Sequence, residues 1–152
     1  MIDPHQTQDH RIVVGIDDSA GSREALRWAL AHARLTGGSV EAVTAWQVPL
    51  MYASARGWAP AGTDDDAGVI RYTEKALAET VAQVLDDEDN PVAVTARVIE
   101  GPAAQVLLAA GKGAELLVLG SRGHGAFAGM LLGSVSQRCV QHATCPTVVI
   151  PE

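Results

Sequence analysis

Five short apolar runs, separated by stretches of a different periodicity, constrain this chain more than any other feature. They are RIVVGID at 11–17, SVEAVTAW at 39–46, VAVTARVIE at 92–100, ELLVLG at 115–120 and TVVI at 147–150. Short runs rich in β-branched residues read as strands. ELLVLG is almost continuously apolar, so both of its faces need cover. The stretches between the runs read as helices. Ser19 or Ser22 caps the first, Leu26, Ala29, Leu30 and Ala33 recur at helical spacing, and Gly37 and Gly38 stop it. Asp64, Asp65 and Asp66 open the second, where carboxylates suit the positive end of the helix dipole, and Ile70, Leu77, Val81 and Val84 give its apolar stripe. Pro102 suits a first helical turn ahead of Val106, Leu107 and Ala110. A last helix starts near Ser134 and is expected to bury Val135, Cys139, Val140 and Ala143. Strands alternating with helices predict an α/β fold: a parallel sheet with helices on both faces.

Composition narrows the function classes. A formal net charge of −7, with no Lys/Arg cluster, disfavours nucleic acid as a partner. No apolar run is long enough to span a bilayer, and the polar start MIDPHQTQDH does not read as a secretory signal, so a cytoplasmic protein is expected. Cys139 and Cys145 lack the flanking histidines of a zinc pattern and read as reduced thiols. The three consecutive Asp carboxylates point in different directions around a helix, which favours a solvated helix start over a metal site. Residues 1–10 read as a flexible tail and 11–152 as one domain. Residues 47–63, with two Pro and two Gly, read as a long loop of functional interest, a lid or mobile segment.

The stretch GSRGHGAFAGMLLGSVS at 120–136 carries five glycines in seventeen positions. It leaves the fourth strand and arrives at a helix start, which offers free backbone N–H groups and partial positive charge. Glycines at 120, 123, 125 and 133 would let the backbone approach an anion and turn inward with φ > 0, and Ser134 and Ser136 would add hydroxyl donors. The Walker A order is absent, and the glycines follow strand four rather than strand one, so the dinucleotide fingerprint is absent too. On glycine content alone, a phosphate cradle and a tight loop that merely packs both stay open.

The spacing adds more. Gly120, Gly123 and Gly133-Ser134 match G-x2-G-x9-G-[ST]. This resembles the nucleotide-binding signature of the universal stress protein family. VVGIDDS at 13–19, TAW at 44–46, LLVLGSRGHG at 116–125, LLGSVS at 131–136 and CPTVVI at 145–150 resemble that family in the family's order. The resemblance implies an open five-stranded parallel sheet in the order 3-2-1-4-5, a Rossmann-like fold of the adenine nucleotide alpha-hydrolase type. It implies the subclass that binds ATP. Gly15 and Asp17 then end strand one, with Asp17 near the adenine and ribose; a helix cap is the competing role for Asp17. Ala45 falls where the family often places a branched apolar residue against the adenine, and is smaller. Leu119 and Gly120 lie under the ribose and phosphates. Arg122, Gly123, His124 and Gly125 wrap the phosphates, and Gly133, Ser134, Val135 and Ser136 present N–H and hydroxyl donors to them. Asp17 and Asp18 are the residues to consider for Mg²⁺ held through the phosphates.

Binding ATP does not require spending it. The sequence shows no Ser-His-Asp grouping, no paired carboxylates facing a cleft and no P-loop lysine, so a nucleotide-dependent stress or signalling protein without strong catalysis is expected. A slow ATPase and a cyclic AMP-binding protein are the alternatives. Thr147–Ile150 forms an apolar edge strand, bracketed by Pro146 and Pro151, and an unprotected edge of this kind predicts a homodimer.

Overall fold

The computed structural model describes residues 10–47, 64–86, 92–123 and 131–151. The expected loop thus lies, from residue 48 onward, outside the described residues, as does residues 1–9 of the tail. The described elements are β1 (Arg11–Gly15), α1 (Ala20–Thr36), β2 (Ser39–Trp46), α2 (Asp64–Asp86), β3 (Val94–Glu100), α3 (Ala103–Ala110), β4 (Leu116–Gly120), α4 (Ser134–His142) and β5 (Thr147–Ile150). The strands form one parallel sheet in the order β3-β2-β1-β4-β5. The implied order is therefore the observed one.

Alternation along β1 assigns the two faces. Ile12 and Val14 point to a core shared with Leu26 and Leu30 of α1, Leu77 and Val84 of α2, and Val118 of β4. Val13 points the other way, to Leu107 of α3, Leu117 and Leu119 of β4, and Cys139 of α4. Each fully buried Leu contributes roughly 1.5–3 kcal/mol by leaving water. Burial pushes both thiols above their ordinary pKa, so Cys139 packs as a small apolar group.

Local chemistry sets the element ends. Ser19 caps α1: its Oγ accepts from the Ser22 amide at 3.2 Å. Gly37, at φ 73°, closes the same helix in the left-handed region that its missing Cβ permits. Pro102 stands one position earlier than expected, as the extended cap residue of α3 at φ −60° and ψ 136° rather than in its first turn. Val140 is not buried. It is 48% exposed on the outer side of α4, because that short helix packs through Ser136, Cys139 and the half-buried Val135 and Ala143.

The amino ends of the strands are held by a closed polar network. Glu41 of β2 is buried, and its carboxylate accepts from Arg11 Nη1 at 3.1 Å and Arg97 Nη1 at 2.7 Å. Arg11 also donates to the carbonyls of Ala110 at 2.9 Å and Lys112 at 3.0 Å, tying β1 to the turn before β4.

Candidate functional site

The sheet order reverses direction at β1 and β4, and parallel sheets place ligands outside the carboxyl ends of strands at such a point. A cleft of about 520 Å³ opens there. Every expected site residue that the structure describes lines it: Gly15, Asp17, Ala45, Leu119, Gly120, Arg122, Gly123, Gly133, Ser134, Val135 and Ser136. His124 and Gly125 lie outside the described residues.

The floor of the cleft is the start of α4. Its cap residue, Gly133, has no side chain, and the helix has no side-chain cap hydrogen bond. The Gly133 amide donates to Ser121 O at 2.7 Å, and the ladder resumes with Gln137 donating to Gly133 O at 2.9 Å. The amides of Ser134, Val135 and Ser136 are the intervening first-turn donors, which a helix cannot satisfy from within itself. Together with the helix dipole they form a helix start of the kind that suits an anion.

Ser136 departs from its expected role. Its buried Oγ shares its proton inward, between Ser121 O at 2.9 Å and Gly133 O at 3.1 Å. A hydroxyl has one proton, so this group pins the loop to the helix and leaves only its amide for a ligand. Ser134 is exposed at the same turn.

The glycines also work differently from the expectation. None of Gly120, Gly123 and Gly133 has positive φ. They serve close approach instead. A Cβ on Gly120 would stand 2.9 Å from the carbonyl carbon of Gly21 in α1. A Cβ on Gly123 would stand 2.2 Å from Asp17 Oδ2. Gly15 is crowded too, by Leu119 and Leu107 side chains at 2.8 and 2.9 Å from such an atom. Gly133 is the exception: an added Cβ meets nothing closer than 3.5 Å, and φ −72° and ψ 168° suit any residue.

Asp17 is not the cap of α1, but it supports the cap. Its Oδ1 accepts from the Ser19 amide at 3.0 Å and from the Ser19 hydroxyl. Its other oxygen faces Gly123, so the carboxylate spans the gap between the α1 turn and the glycine loop. Asp18 bonds Arg23 at 2.8 Å and Thr80 at 3.3 Å. Each carboxylate is thus engaged through its Oδ1 by groups of the protein. Among the described residues no group of three His, Cys, Asp or Glu could hold a metal ion.

One wall was missed by sequence reasoning. Tyr72, Thr73, Ala76, Leu77 and Thr80 of α2 also line the cleft. Their 72-73-76-77-80 spacing is one helical face, and only Leu77 carried an apolar signal.

Comparison with known proteins agrees with this architecture. A universal stress protein family profile matches residues 10–151. A universal stress protein of Mycobacterium tuberculosis is 32% identical over 153 residues, covering 93% of this chain and 48% of its own length. One from Mycobacterium bovis is 30% identical over 147 residues, covering 94% and 48%. The chain spans about half the length of the curated relatives it matches. Among solved structures, universal stress protein UspA from Lactobacillus plantarum superposes with a TM-score of 0.70 at 19% identity, covering 94% of this chain and 98% of that one. A universal stress protein in complex with cAMP gives 0.67 at 22% identity, with 95% and 98% covered. One from Archaeoglobus fulgidus in complex with dAMP gives 0.62 at 21% identity, with 92% and 96% covered. At these identities the solved structures speak to the fold.

Proposed function

This chain belongs to the universal stress protein family, and from that premise we propose that it binds an adenine nucleotide, ATP first and cyclic AMP as the alternative ligand, in the cleft between β1, β4 and α4. The observation that carries the reading is the uncapped start of α4 facing a cleft lined by every described residue of the spacing motif. Two structural relatives, solved in complex with cAMP and with dAMP, support the adenine class. In this reading the phosphates sit on the amides of residues 134–136 and against Gly123, with Arg122, His124 and Gly125 around them. The nucleoside lies toward Asp17, Gly15 and Ala45, over Leu119 and Gly120.

We propose a nucleotide-responsive stress or signalling protein of the cytoplasm rather than an efficient hydrolase, because the sequence lacks a P-loop lysine. A homodimer through the Thr147–Ile150 edge belongs to the same reading. Titration calorimetry with ATP, ADP, AMP and cyclic AMP, beside mass spectrometry of any copurifying ligand, tests the binding. Saturable heat from at least one nucleotide is expected, and none from all four overturns the proposal. Steady phosphate release at roughly 10 s⁻¹, a median enzyme rate, would overturn the non-catalytic part. Val149→Lys sets like charges across the proposed two-fold edge, and sedimentation should show loss of a wild-type dimer.

A further inference from the structure

Among the described residues, Asp18 is the one non-glycine residue with positive φ, at 65°. That conformation is sterically unfavourable for a residue with a Cβ, so its surroundings must hold it in place. Two groups do so at Oδ1: Arg23 Nη2 at 2.8 Å and Thr80 Oγ1 at 3.3 Å. The Arg23 pair is partly exposed, with 34% and 60% of the two side chains open to water, which screens it. Thr80 is only 2% exposed. Its hydroxyl is also used in an unusual way. Helical threonines commonly donate to the carbonyl four residues back, as Thr36 does to His32 and Thr73 to Val69. Thr80 instead reaches across to the turn after β1.

We propose that Thr80 is a positioning residue of the nucleotide site. It holds the Asp18 turn in its left-handed form, which aims the adjacent Asp17 carboxylate at Gly123, and it docks the α2 face that walls the cleft. This rests on the nucleotide-binding reading above. By linkage, a ligand that needs Asp17 in place also tightens α2, and tighter docking of α2 favours the ligand.

Calorimetry with ATP on the full chain tests it. Thr80→Val keeps the shape and removes the hydroxyl, and affinity should fall about five- to tenfold. Thr80→Ser should restore it to within about twofold, which a packing role would not predict. In hydrogen exchange, ATP should protect α2 amides in the wild type and less so in Thr80→Val. Should Thr80→Val not fold, Asp18→Gly provides the second arm: glycine takes the left-handed form unaided, so Thr80→Ala should weaken binding in the wild type and bring no further loss when added to Asp18→Gly, and an equal loss in both backgrounds overturns the proposal. Thr80→Val binding as the wild type, or Thr80→Ser binding as poorly as Thr80→Val, overturns this proposal and leaves nucleotide binding standing. A wild type that binds no nucleotide overturns both.

Discussion

The two ends of the sheet treat polar groups in opposite ways. At the amino ends, Glu41 has both oxygens bonded by arginines, and Arg11 passes the network on to two carbonyls. That network is closed within the fold. At the carboxyl ends, α4 begins on a glycine with no side-chain cap, and Asp18 is held in a costly conformation. First-turn amides of a helix need a partner from outside the helix, and in the proposed reading the phosphates of a nucleotide supply it. In that reading the contrast separates polar chemistry that serves stability from polar chemistry that serves binding.

The sharpest way to test the contrast is to close the open end. Gly133→Asp puts a carboxylate where a helix cap belongs, and the backbone there accepts a side chain. Nucleotide affinity should fall at least about a hundredfold, while stability stays level or rises by a few tenths of a kcal/mol. Calorimetry and thermal melting together read both signs, and a lowered Tm would show that the glycine serves the fold. Next in size, Gly123→Ala drives a Cβ into Asp17 Oδ2. The carboxylate must leave its place beside the loop, and affinity should fall about tenfold with little change in Tm.

Opening the closed end should do the reverse. Glu41→Gln leaves Arg11 and Arg97 facing a neutral amide. Unfolding should become easier by about 1–3 kcal/mol, less than for a fully buried pair because Arg97 is half exposed. Nucleotide affinity should stay within about twofold, and a larger drop would show that the two ends are coupled. The smallest effect belongs to Ser136→Ala. Losing the hydroxyl that pins Ser121 O and Gly133 O should cost about 1 kcal/mol in denaturant unfolding.

The sequence carried the sheet because alternation and β-branched runs are local signals, and the strand order followed from a resemblance that spans most of the chain. It carried the glycine loop because the spacing of Gly120, Gly123 and Gly133 is local as well. The α2 wall was not legible. Periodicity tells which side of a helix is buried, but Tyr72, Thr73, Ala76 and Thr80 gave no apolar stripe, and nothing local says which cleft they face. The Ser136 hydroxyl was misjudged for the same reason: whether a serine donates outward or to its own loop is decided by three-dimensional neighbours. Val140 failed because a nine-residue helix at the side of a sheet has room for only a narrow contact.

Gly120 and Gly21 meet backbone to backbone. Gly21 lies two residues beyond Ser19, which holds Asp17 by its amide and hydroxyl. A side chain at position 120 therefore pushes on the turn that aims the carboxylate on the far wall of the cleft. Substitutions at 120 and at 17 should not be independent, since neighbours sharing a backbone shift rarely add. The jaws of this cleft are cast in one piece, so evolution or design cannot retool one and keep the other.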